Sequence, residues 1–154
     1  PHTTDVAGLL NIVGGDNRFY NNVFVAPSGL AVYNQAARPV FAEGNVYLDG
    51  AMPYRNETNS LVRTTVDPDI QLTQDGKSAT LHITVDRSWQ VPLTEPVTTS
   101  RLGAAAVSKA AYENPDGSPL TVDTDYFGAK RNMTAPSPGP FAAPQEGRIA
   151  VKVW

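Results

Sequence analysis

Short runs of Val, Ile, Leu, Thr, Phe and Tyr recur along the chain, each bounded by Gly, Pro, Asn or Asp. Runs of this length, rich in β-branched and aromatic residues, predict strands separated by turns. Two of them share a word, Asn22-Val23-Phe24-Val25 and Asn45-Val46-Tyr47-Leu48, and the offset from position 22 to position 45 is 23 residues. Between them lies Leu30-Ala31-Val32-Tyr33-Asn34, and before them Leu10-Asn11-Ile12-Val13. A period of this size holding several short strands is the mark of stacked supersecondary units. It predicts coils of a right-handed parallel β-helix over residues 1–53. Aliphatic side chains are expected to point inward, and Asn to sit in the left-handed region at corners, stacked on its copy one coil away.

After Pro53 the pattern becomes antiparallel, and residues 54–154 read as a capping or β-sandwich-like region. Ile70 to Gln74, Asp75-Gly76 and Ser78 to Asp86 predict a hairpin. In its second strand Ala79, Leu81, Ile83 and Val85 alternate with Ser78, Thr80, His82 and Thr84, so one face is buried and the other wet. Asp116-Gly117 predicts a further turn leading to Tyr126 and Phe127, and Pro136, Pro138, Pro140 and Pro144 predict a stiff extended connection. Arg148 to Trp154 alternates as a closing strand whose Trp154 is expected to cover a sheet edge or an apolar pocket. Ala104 to Glu113 has helical propensity but too small an apolar face to hold a helix by packing, which favours an extended path around Ala105 to Ser108.

Composition narrows the function classes. With 12 Gly and 13 Pro in 154 residues, the punctuation is that of an all-β chain long enough to bury a core. The absence of Cys excludes disulfides and thiolate metal sites. Twelve Lys and Arg against 15 Asp and Glu, with no run of like charge, leave no basic footprint for nucleic acid or an anionic membrane. No apolar run approaches the roughly 18 residues of a membrane-spanning helix. The start Pro1-His2-Thr3, without Met, reads as a piece of a longer protein.

Several segments carry a family resemblance: Pro1-His2-Thr3-Thr4 through Gly14-Gly15-Asp16-Asn17-Arg18-Phe19-Tyr20-Asn21-Asn22-Val23-Phe24-Val25, Gly44-Asn45-Val46-Tyr47-Leu48, and Asn114-Pro115-Asp116-Gly117-Ser118-Pro119. Asp123-Thr124-Asp125-Tyr126-Phe127-Gly128 and Pro138-Gly139-Pro140-Phe141 belong to the same series, in order, over nearly the whole chain. Together they resemble the C-terminal part of bacterial right-handed β-helix glycosidases, especially the β-xylosidases of glycoside hydrolase family 120. The resemblance implies retaining hydrolysis of xylosides or related plant glycans, with an oligosaccharide or polysaccharide substrate and an upstream β-helix in the same protein. It also implies that the catalytic carboxylates come from earlier coils, so that this part is itself non-catalytic. Compartment and any homo-oligomer stay open.

Retaining hydrolysis requires two carboxyl groups about 5 to 5.5 Å apart. Asp5, Asp16, Glu43 and Asp49 are the acids of the β-helix region, and Asp16 and Glu43 are spaced to lie on neighbouring coils, although each also suits a turn. His2, Asp5, Asp16, Arg18 and Tyr20 form a polar and aromatic set of the kind that lines a sugar subsite, with His2, Asp16, Arg18 and Tyr20 the substrate-binding candidates. The competing reading is a turn contact between Arg18 and Asp16, with Phe19 or Tyr20 in the core. Asp116, Asp123 and Asp125 lack the spacing of a calcium loop, and no metal or cofactor is expected. The alternative function is a non-catalytic β-sandwich module that binds carbohydrate or protein through Trp89, Trp154 and the Tyr residues.

Overall fold

Left-handed corners set the path of the chain. The computed structural model describes residues 14–90 and 94–154. Within it, Asn21, Gly44 and Asn59 adopt φ of 57°, 69° and 56° at equivalent points of successive coils. Gly and Asn are the residues that enter this region at least cost. Gly44 has a second reason to be Gly, since a Cβ there would sit 2.7 Å from Asn21 Oδ1. The stacked asparagine is the residue after each corner. Asn22 donates from Nδ2 to Asn45 Oδ1 at 2.9 Å, and the Asn22 backbone N–H donates to the same oxygen at 2.8 Å. Corner and stack are therefore separate jobs on adjacent residues, not one job on a single Asn.

Between the corners run short parallel ladders. Strand β1 (Arg18–Tyr20) pairs with β3 (Phe41–Glu43), and β2 (Val23–Val25) pairs with β4 (Val46–Leu48), which pairs with β5 (Leu61–Arg63). These are coils of the expected parallel β-helix. Val46, Tyr47 and Leu48 are all 0% exposed, because β4 is covered on both faces. Tyr47 points into the coil with Phe19, Phe24, Tyr33 and Tyr54, and its ring stacks on Phe24 at 5.1 Å and 11°. Val46 and Leu48 point outward, against Val85, Trp89, Ile83 and Ile149. The expected inward set was aliphatic; aromatics join Leu30 and Ala51 in filling the coil, and the aliphatics of β4 serve a second interface that the periodicity does not reveal.

The coils are unequal. Val46 follows its partner Val23 by 23 residues, whereas Leu61 follows Val46 by 15. Met52 still stacks on Gly29, but Thr58 already lies beside Glu43, so the shorter coil lacks a counterpart of the 3-10 turn at Ala31–Gln35. Parallel pairing continues to Arg63, later in the chain than the change of composition at Pro53.

The antiparallel sheet is the predicted hairpin plus the closing strand: β6 (Gln71–Asp75), β7 (Ser78–Val85) and β8 (Gly147–Lys152), in the order β6-β7-β8. One end of its apolar face, at Ile83, Val85 and Ile149, packs on the outer side of the β-helix. Trp154 is 81% exposed, not tucked over an edge; its backbone holds it, with Trp154 O accepting from Ala79 N–H at 3.1 Å. Residues 104–113 form no helix, but neither do they run extended around Ala105 to Ser108: Ala104 and Ala111 bridge across a tight turn. The one α-helical turn among the described residues, α1 (Thr99–Leu102), comes earlier, where the Thr98 hydroxyl caps it by accepting from Arg101 N–H at 3.2 Å.

Candidate functional site

Strand alternation sends Phe19 and Ala42 into the coil and turns Arg18, Tyr20, Phe41 and Glu43 outward on one face. The segment around α1 lies over that face. Arg18 is the main fastener: its Nε donates to Leu102 O at 2.9 Å, Nη2 to Ala104 O at 2.9 Å, and Nη1 to both Asp16 O and Asp16 Oδ1 at 2.5 Å. Its guanidinium also lies 4.6 Å from the Phe41 ring centre and 4.8 Å from that of Tyr112. Arg101 reaches back from α1, donating to Glu43 Oε2 at 2.9 Å and to Glu95 O, and stacks 4.5 Å from the Tyr20 ring.

Both acids on this face are occupied. Asp16 Oδ2 accepts from Ala106 N–H at 2.7 Å, and that bond, followed by Arg18, holds its carboxyl below the usual range. Glu43 Oε1 accepts from Asn59 at 2.7 Å and Oε2 from Arg101. Asp16 lies beside Pro39, to whose carbonyl its N–H donates at 2.6 Å, four residues before Glu43 on β3. At about 3.3 Å per residue, that offset places the two backbones on the order of 13 Å apart along the strand. They do not form a retaining carboxylate pair in this arrangement. Beside Tyr20 is a cavity of about 160 Å³ lined by Asn21, Asn22, Val97, Val122 and Arg131. The Arg131 guanidinium donates to Thr124 O, Ser137 O and Gly139 O.

A second polar group, inside the coil, is absent from the sequence reading. Glu57 accepts from Asn45 Nδ2 at 2.8 Å and from the Tyr47 hydroxyl, and Asn45 Nδ2 also reaches Phe19 O at 2.8 Å. Burial raises the carboxyl of Glu57 above its usual range, and burial followed by the Glu57 carboxylate raises the Tyr47 hydroxyl. No sequence signal marks Glu57, because the shortened coil carries it to Asn45 out of the 23-residue register. Arg101 and Asn59 likewise join the site through contacts distant in sequence.

Asp16, Arg18 and Tyr20 thus come together on one face, while His2 and Asp5 fall outside the described residues. The three acids considered for calcium serve their own turns: Asp116 holds Ser118, Asp123 pairs with Lys130 at 2.5 Å, and Asp125 accepts from the backbone N–H of Phe127, Ala129 and Ala142. Among the described residues no cluster of three His, Asp or Glu side chains is arranged to hold a metal. Trp89 is 6% exposed and part of the core, whereas Tyr126 and Phe127 are 58% and 55% exposed, and Phe127 stacks on Phe141 at 5.9 Å.

No protein-family model matches the chain, and no curated protein matches it. Among solved structures, XylC in its complex with xylose is similar at 28% sequence identity and a TM-score of 0.83, over 92% of this chain and 26% of XylC. The chain therefore spans about a quarter of the length of XylC. Its β-helix coils, antiparallel sheet and connecting segments together have the fold of that part of XylC.

Proposed function

We propose that this chain is the C-terminal part of a carbohydrate-active β-helix enzyme, a retaining glycosidase of xylosides or related plant glycans like the β-xylosidases of glycoside hydrolase family 120. The observation that carries the proposal is the match to XylC, a protein whose structure holds xylose, at 0.83 over nearly the whole chain. In this reading the parallel coils, which run on to Arg63, complete the β-helix, the residues after them cap and brace it, and the upstream part supplies both catalytic carboxylates. The chain itself is non-catalytic. Asp16 and Glu43 fit that role: both oxygens of each are engaged in holding the fold, Asp16 with Arg18 and Ala106 and Glu43 with Asn59 and Arg101. His2, Asp16, Arg18 and Tyr20 contribute one wall of the substrate cleft, with Tyr20 beside the small cavity.

Hydrolysis of a chromogenic xyloside, compared between the 154-residue chain and the same chain extended upstream, tests this. Turnover by the extended chain alone is the expected result. Turnover by the 154 residues would move the carboxylates into this part and make Asp16→Asn and Glu43→Gln the next variants; turnover by neither would overturn the assignment to xylosides. A second reading, a non-catalytic module that binds carbohydrate or protein, is favoured by the exposure of Tyr126, Phe127 and Trp154. It predicts that the 154-residue chain is retained on insoluble xylan and that Trp154→Ala with Phe127→Ala abolishes retention; unretarded elution of the parent chain eliminates its carbohydrate form.

A further inference from the structure

The antiparallel sheet is finished at one end and open at the other. Its apolar face carries Leu72 on β6, Ala79, Leu81, Ile83 and Val85 on β7, and Ile149 and Val151 on β8, with polar side chains such as Thr73, His82 and Lys152 on the opposite face. The half near Val85 is sealed by the β-helix and by Pro138, Pro140, Phe141 and Pro144. The half near β6 is bare: Leu72 is 66% exposed and Ile70, just before the strand, 46%. Beside it an apolar socket of about 190 Å³ is lined by Leu81, Tyr126, Pro140, Phe141 and Val153.

The two edges of the sheet differ in the same sense. On β8 the edge carries Lys152, and the Tyr126 hydroxyl donates to Val153 O at 2.9 Å, while Arg148 reaches across the sheet to Asp69. Charged side chains on an edge strand discourage further pairing. On β6 the sequence is Gln-Leu-Thr-Gln-Asp, uncharged until its last residue, and every residue of the strand is exposed. No described residue pairs with its outer side. An exposed strand edge with no charge on Gln71 to Gln74, next to uncovered Leu and Ile, is a template for strand addition.

The occupant follows from the length of the neighbour. XylC continues for about three quarters of its length beyond the part that matches this chain, and 92% of this chain is already used in the match. We propose that β6 is an interior strand of the working enzyme: a β-strand from the parent polypeptide outside these 154 residues pairs with β6 and sets large apolar side chains beside Ile70 and Leu72. This rests on the reading of the chain as part of a longer glycosidase. Strand addition supplies backbone partners to the outer side of β6 and extends the apolar face by one strand.

The chain has no Cys, so a single introduced thiol reports on one position. Leu72→Cys is labelled with a maleimide in the 154-residue chain and in the upstream-extended enzyme, with Val107→Cys, at a site 70% exposed, as control and the unsubstituted proteins as background. The expected result is labelling of Leu72→Cys slowed roughly tenfold or more in the extended enzyme, with the control equally fast in both. Amide hydrogen exchange of residues 71–75 in the unsubstituted extended enzyme gives the same answer without a mutation, protection being expected. Equal, fast labelling in both proteins overturns the proposal. So does slowing in the 154-residue chain that grows with its concentration, because a second copy would then be the occupant. An extended enzyme that splits xylosides while Leu72→Cys labels freely defeats this inference alone, whereas protection without xylosidase activity defeats the proposed substrate and leaves the strand pairing standing.

Discussion

Two carboxyl groups in this chain respond to pH with opposite sign. Glu57 is raised above its ordinary 4.5 chiefly by burial, so the folded state binds its proton more tightly than the unfolded state does. Its contribution to stability is complete below the unfolded value and is lost as pH rises through the folded one. Asp16 is lowered below 3.8, first by the Ala106 N–H and then by Arg18, so its contribution is present above that value and lost as pH falls through the folded one. Glu57→Gln is therefore expected to flatten the decline in melting temperature as pH rises above 4.5, and Asp16→Asn to flatten the acid limb below pH 3.8; thermal unfolding across pH measures both. Glu57→Ala is a different change. It leaves the Tyr47 hydroxyl, on a residue that is 0% exposed, without an acceptor, and leaves Asn45 Nδ2 with Phe19 O alone, at a cost of about 1–3 kcal/mol by urea unfolding. At this scale the sequence is readable where a residue repeats in register, as Asn22 and Asn45 do. It is silent on Glu57, whose partner is chosen by a change of coil length.

Among the elements, the hairpin and closing strand were legible because alternation and a tight turn are local signals. The segment over β1 and β3 was not. Its single helical turn is fixed by a Thr98 cap and by arginines whose partners are distant in sequence, the Arg18 to Ala104 bond spanning 86 residues. The pairing of Asp16 with Arg18 was foreseen as a turn contact, but the same guanidinium also fastens the α1 segment. Lys cannot replace it, since one ammonium does not span the Leu102, Ala104 and Asp16 acceptors that the planar fork meets together. Arg18→Lys should therefore cost about 2 kcal/mol, the scale of charge-assisted hydrogen bonds at a side chain only 7% exposed. Hydrogen exchange should locate the loss: faster exchange over residues 99–112, with β2, β4 and β5 unchanged. Uniform acceleration across all of them would mean that the clamp and the coils unfold as one unit.

For the molecule as a whole, the 23-residue repeat pointed to a parallel β-helix, which the paired coils bear out, and the turn chemistry after Pro53 pointed to an antiparallel addition. What joins them was hidden. Val46 and Leu48 look like interior residues of a solenoid, and only the three-dimensional structure shows that they form the floor of the contact with β7, β8 and Trp89. The drop from 23 residues to 15 between successive coils has a further effect. A solenoid of constant girth is a growing polymer end, ready to accept another coil, its own or a neighbour's, with the same footprint. A coil missing the piece equivalent to Ala31–Gln35 has a smaller perimeter than the one beneath it, so nothing of the original girth can be seated on it in register. The taper terminates growth by geometry, much as a keystone narrower than its course ends a wall.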